Sequence, residues 1–197
     1  MAASYPTSIK SFTTKVDNVD DVVAAHVNDL QLEVVALETA CGIGKSTSAI
    51  QVKNTQTGAV ATGTTTVPFD DTIPQNTEGD QYMTLAITPK ATTNVLVIDV
   101  VAFLSSDTAG TTHWTLGLFQ DSTAGALACT MTAEISDSTM QKVFLRHYMV
   151  AGTTSATTFK VRAGSQTAST TTFNGVGGAR KGGGVLASSI TITEYLV

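Results

Sequence analysis

The chain of 197 residues is short of several things at once. It has two cysteines, Cys41 and Cys129. Two are too few for a disulfide-rich secreted scaffold, and no Cys-x-x-Cys pair offers metal or redox spacing. Charged residues make up only 14% of the chain, against 42% hydrophobic, which excludes extended disorder. The formal net charge of -5 leaves no basic footprint for a nucleic acid. No apolar stretch approaches the ~18 residues of a membrane-spanning helix. The longest run, "VLVIDVVAFL", is interrupted by Asp99. The first twelve residues, "MAASYPTSIKSF", lack an apolar core segment, so no signal peptide is expected.

Signatures of chemistry are missing too. Gly44-Lys45-Ser46 has the ending of a phosphate-binding loop. The full pattern needs a glycine five residues before the last one, and that position is Thr39. A helix precedes and a strand follows, the reverse of the required order, so no helix N-terminus is there to cradle phosphate. His26, His113 and His147 lie far from one another and from the cysteines, which gives no linear metal motif. No Gly-x-Ser-x-Gly elbow occurs. Asp70, Asp71, Glu78 and Asp80 flank a turn-rich loop; they suit either Ca²⁺ or, more simply, a solvated loop. Cys129 reads as a small buried hydrophobe. No cofactor and no catalytic residue is expected.

What the chain does have falls into zones. Residues 1–16 are polar and aperiodic, an extended arm. Residues 17–42 hold no proline and no glycine before Gly42. They predict a helix capped by Asp17 or Asn18, with Asp20 and Asp21 in its first turn and Gly42 as its stop. Val23, Val27, Leu30, Val34, Leu37 and Cys41 recur at spacings of 4, 3, 4, 3 and 4. This is a heptad seam of about three repeats, with Val27, Val34 and Cys41 at a and Val23, Leu30 and Leu37 at d. A helix of this length is marginal alone and needs a partner for its stripe. The stripe packs either on the chain's own β region or on other copies. Its a/d period favours self-association, with His26 and Glu33 at g and Asn28 and Gln31 on the outer face.

A joint at 43–48 leads into a region, 49–197, rich in Thr, about one residue in six over the whole chain, and in Gly and Ser. Ten strands are predicted: 49–54, 62–69, 81–89, 94–106, 112–120, 126–135, 141–150, 157–164, 171–175 and 188–197. Turn-like joints separate them, including "GVGGARKGGG", a hairpin tip carrying Arg180 and Lys181. Ten short strands without an intervening helix predict a β-sandwich of jelly-roll type. "VLVIDVVAFL" and "THWTLGLF" are apolar on both faces, although the outer face of a two-layer sandwich is normally wet. A neighbouring subunit is the economical cover. Helix and sheet together predict a homotrimer, with a dimer as runner-up.

The opening "YPTSIKSFTTKVDNVDDVVAAHVNDLQLEVVALE" resembles the N-terminal segment of small virion proteins of tailed bacteriophages. The matching positions are Pro6, Ser8 and Phe12, then Ala24 or Ala25, His26, Asn28, Leu30, Glu33, Val34, Ala36, Leu37 and Glu38. "TGTTTVPFDDTIPQNTEGDQYMTLAITP", "LFQDS" and "TTTFNG" are similar to phage virion domains as well. The resemblance implies a virion location and a non-enzymatic role: head decoration (cement) protein, head fibre or tail-fibre component. It also implies a trimer with a jelly roll like that of tumour necrosis factor or C1q. On this reading the arm, through Tyr5, Pro6, Ile9 and Phe12, anchors the chain to the major capsid protein or another virion protein. Neither nucleic acid nor membrane is a partner. The alternative is a receptor-binding tip for a host surface glycan, for which Tyr5, Tyr82, Trp114, Tyr148 and Tyr195 are the candidate aromatics. A polysaccharide depolymerase would need a carboxylate cluster that the chain supplies poorly.

Overall fold

The computed structural model of the chain describes residues 23–41, 49–107, 112–134 and 139–197. The chain divides into two units, Met1–Ser48 with Leu196–Val197, and Ala49–Tyr195. The described part of the first is one helix, α1 (Ala24–Cys41). It starts later than the sequence predicts. Val23 stands at its N-cap: the Val23 N–H donates to His26 Nδ1 (3.3 Å) and the His26 N–H donates back to the Val23 carbonyl (2.9 Å). Such reciprocal bonds satisfy donors that a helix start leaves open. The first turn of α1 holds no acid. The caps expected at Asp17 or Asn18, and the stop at Gly42, lie outside the described residues.

The second unit is all β: β1 (Ala49–Thr57), β2 (Ala61–Gly63), β3 (Asp80–Ile87), β4 (Val95–Ser106), β5 (Thr112–Gln120), β6 (Ala128–Glu134), β7 (Gln141–Val150), β8 (Thr157–Ser165), β9 (Thr171–Phe173), β10 (Gly175–Val176), β11 (Ala179–Arg180) and β12 (Ser188–Tyr195). The first sheet runs β1-β12-β4-β7, with β9 and then β2 continuing past the end of β12 along β4. The second runs β3-β8-β5-β6. Numbering only the eight long strands along the chain, the orders are 1-8-3-6 and 2-7-4-5, the double Greek key of a jelly roll.

Period-two alternation fills the space between the sheets. Leu96, Ile98, Val100, Ala102 and Leu104 of β4 are fully buried. They join Trp114, Leu116 and Leu118 of β5, Phe159 and Val161 of β8, and Ile190 and Ile192 of β12 in one core. Each such Leu, Ile or Phe side chain contributes about 1.5–3 kcal/mol of burial. Two buried polar side chains pin the strands' ends. Glu194 accepts from the Lys90 N–H and Asn94 Nδ2, each at 2.7 Å, tying the β3–β4 loop to β12. Asn174 donates through Nδ2 to the carbonyls of Thr57 (2.8 Å) and Ala59 (3.0 Å) and accepts from Ser188 Oγ (2.7 Å). Its own N–H donates to the Phe103 carbonyl.

The expected strand 62–69 is a strand only to Gly63. Beyond it the chain crosses the outside of the second sheet. The Val67 N–H donates to the Ser165 carbonyl (3.0 Å), and Thr65 bonds the Asp80 carboxylate through N–H and Oγ1. Phe69 stacks on His113, with ring centroids 4.1 Å apart. Gly164 makes this crossing fit, since a Cβ there would lie 2.3 Å from the Thr65 carbonyl oxygen. On the same face Phe119 leans across Gly117, where a Cβ would meet its ring at 2.8 Å. So β5, apolar on both sides in the sequence, is buried on both sides within the single chain, and no neighbouring subunit is needed to account for it.

The glycine-rich segment is indeed a hairpin. Gly177 and Gly178, both at positive φ (58° and 73°), form the two-residue turn between β10 and β11, which pair Val176 with Ala179.

Candidate assembly surfaces

On α1, apolar exposure is wider than the predicted seam. Val23, Val27, Leu30, Val34 and Leu37 are all exposed, Leu30 at 54%. The side chain of Cys41 lies outside the described residues. Leu32 and Val35 are exposed as well. In the heptad frame they fall at f and b, away from the seam. The apolar surface of α1 is therefore broader than a strict a/d stripe, and the outer face is not simply polar.

The second surface is the outer face of the first sheet. Antiparallel register lines its residues into rows across four strands. One row is Val52, Thr193, Val97 and Tyr148; the next is Asn54, Thr191, Asp99 and Arg146; the third is Gln56, Ser189, Val101 and Phe144. Val95 and Val150 pair at one end, Phe103 and Lys142 at the other. Tyr148 (66% exposed), Val52, Phe144 and Val150 are exposed, while Val97, Val101 and Phe103 are half-buried. The sequence indicates the β4 side of this patch through its two-sided pattern. Phe144, Arg146 and Tyr148 of β7 escape that reading, though "VFLRHYMV" carries the same signal, with Val143 and Leu145 buried opposite them.

A single ion pair sits in the middle of the face. Arg146 Nε and Nη2 donate to Asp99 Oδ1 (2.6 Å) and Oδ2 (3.0 Å), a parallel fork. The bonds to the Asp99 carboxylate raise the guanidinium above its ordinary value. Exposed as it is, the pair adds little to the fold of one chain. Its use is that both charges already have partners, so a second surface can cover them without stranding either.

The remaining candidates are local. Asp70 Oδ1 accepts from Thr72 Oγ1 (2.6 Å) and Thr72 N–H (2.9 Å), and these bonds hold its acid below the usual carboxylate value. Glu78 Oε2 accepts from the Gln75 N–H (2.9 Å). Asp70 and Glu78 thus brace their own loop, and Asp80 holds Thr65. Among the described residues no three His, Cys, Asp or Glu side chains gather as a metal-ligand set. His147 lies on the inner side of β7, pushed below its ordinary value by burial. Cys129, expected inside, is exposed, because it lies on the outer face of β6 opposite Gly117. Trp114 is core, Tyr82 is packed on Phe173 (4.9 Å) and Tyr195 is half-buried, so Tyr148 is the exposed one among the described candidates. Tyr5, Pro6, Ile9 and Phe12 lie outside the described residues. No described helix is long and apolar enough to cross a membrane.

No protein-family model matches the chain, and no curated protein is similar to it. Among solved structures, dimeric latent PorU from Porphyromonas gingivalis is similar at 10% identity and a TM-score of 0.32, over 77% of this chain and 14% of PorU. A Bacillus endospore appendage protein is similar at 11% identity and a TM-score of 0.29, over 79% of this chain and 97% of its own. The VP2 protein of infectious bursal disease virus is similar at 9% identity and a TM-score of 0.30, over 79% and 41%. The chain thus spans about a seventh of PorU and about two fifths of VP2.

Proposed function

We propose that this protein is a non-enzymatic structural component of a bacteriophage virion. It is a homotrimer that decorates the capsid or forms a head fibre, anchored through residues 1–16. The observation that carries the reading is the exposed apolar outer face of β4 and β7, with Asp99 and Arg146 paired at its middle. A contiguous patch of this kind on a soluble chain marks a protein contact. The seam of α1 supports it as a short coiled-coil neck, and among the described residues no three His, Cys, Asp or Glu side chains gather as a metal-ligand set. Three weakly held arms on one trimer attach firmly, because each bound arm raises the local concentration of the next.

Two measurements test the proposal. Native mass spectrometry of the purified protein should give a trimer at micromolar concentration; a stable monomer there sinks it. Immunolabelling of intact phage particles should place the protein on the head. Label on the tail tip alone would move it to the alternative, a receptor-binding component, which a glycan array can then examine.

A further inference from the structure

On the opposite sheet, the edge strand β6 is paired with β5 on one side only. Just before it, residues 74–76 lie antiparallel to residues 124–126. The Ala126 N–H donates to the Pro74 carbonyl (2.9 Å), the Asn76 N–H donates to the Ala124 carbonyl (2.7 Å), and Gln75 bridges Gly125. From Ala128 onward β6 pairs with β5, and among the described residues no strand lies on its other edge. There the chain 70–74 diverges and leaves a groove of about 430 Å³ against residues 126–131. Ile73 (63% exposed), Pro74, Leu127 and Met131 make its walls apolar. Asp70 and Asp71 stand at its rim, and no cation lines it. The Thr72 bonds fall on Asp70 Oδ1.

We propose that the open edge of β6 and this groove form a docking site for an extended basic peptide segment of a partner protein, which joins the second sheet as a fifth strand. The chain's own residues 74–76 already pair beside the start of this strand. An added strand takes main-chain hydrogen bonds from the exposed edge and places every second side chain over the groove. Apolar side chains there meet Ile73 and Met131, and a Lys or Arg on the same face meets Asp70 and Asp71. The site lies on the sheet opposite the face assigned to self-assembly, so both can be occupied at once, and it does not depend on that assignment.

The test uses the full chain and two capped nonapeptides, Ser-Val-Thr-Ile-Thr-Lys-Thr-Lys-Ser and its counterpart with Glu for Lys. Backbone amide shifts are followed by NMR during titration to 1 mM. The lysine peptide should give saturable shifts confined to residues 70–76 and 124–133, and the glutamate peptide should bind at least about ten-fold more weakly. Asp70→Asn with Asp71→Asn should weaken the lysine peptide about five-fold or more; Asn keeps the acceptor for Thr72, so the loop stays folded. Ile73→Lys, at an exposed position, should weaken it too. Shifts elsewhere, no saturation by 1 mM, or equal binding of the two peptides would overturn the proposal. So would concentration-dependent shifts at the same residues without peptide, which would give the edge to a second copy.

Discussion

Asn174 shows how much one side chain can hold. It is fully buried, sits at φ 58° and makes four hydrogen bonds to three separate segments. Asn tolerates the left-handed conformation, which is one reason for it here. The side-chain bonds are the other, and substitution separates the two. Asn174→Gly removes any conformational strain and leaves the carbonyls of Thr57 and Ala59 without a donor. It should cost about 3 kcal/mol, or about 10 °C in Tm for a unit of this size. Asn174→Asp turns two donors into an acceptor facing two carbonyl oxygens and should cost at least as much. Thermal melts in which Asn174→Gly matched the parent would show that the bonds are idle. His147 gives a pH signature. Burial lowers its folded value below the ordinary 6.5, so the fold favours the neutral ring. Stability is therefore full above pH 6.5 and declines as pH falls through 6.5 toward the folded value. Between pH 7.5 and pH 5.5, Tm should fall, and His147→Gln should flatten that slope. The carboxylates held low by hydrogen bonds, Asp70 and Asp107, act only in more acidic solution.

At the scale of the element, the same sequence pattern had two physical causes. β4 and β5 are both apolar on both sides. β5 is covered by the chain's own crossing at 64–69, whereas the outer face of β4 is covered only in part. Nothing in "THWTLGLF" separates these cases, because the cover comes from a segment about fifty residues earlier, brought there by tertiary contacts. That crossing rests on Gly164. Gly164→Ala should destabilise the protein by about 3 kcal/mol, the upper end for overpacking. Gly152→Ala is the control: its Cβ meets nothing, so only the positive φ of 67° costs, about 1 kcal/mol. Equal Tm losses would mean that the 64–67 backbone yields freely. The long strands were legible; β5 and β7 begin and end where alternation and turn residues put them. The stretch "TTTVPF" was not. Its residues favour a strand, but β propensity reflects a pleated neighbour to pack on, and β9, the partner of β2, offers that only as far as Gly63. At the described start of α1 the cap is made by His26, whose ring nitrogen accepts from the Val23 N–H, a role that the sequence pattern alone does not announce.

For the molecule as a whole, two exposed apolar surfaces of different origin stand out, and of these the helix stripe was plain in the sequence. The β7 half of the sheet face was not, since its apolar residues alternate with Lys142 and Arg146 and pass for an ordinary wet edge strand. If both surfaces hold one assembly, Leu30→Asp with Leu37→Asp should weaken it about 10²-fold, and Phe144→Glu with Tyr148→Glu should do likewise. The four changes together should give a folded monomer by sedimentation. An undiminished trimer in the helix variant would remove α1 from the neck. The jelly-roll topology has a further result. Ala49, where the chain enters the β unit, lies across the ladder from Tyr195, where it leaves. The two ends of the unit are thus neighbours, the arrangement that tolerates circular permutation. A short linker from Tyr195 to Ala49, with new ends opened at the exposed Gly177–Gly178 turn, would keep every long strand intact and carry a fused cargo at a site of the designer's choosing.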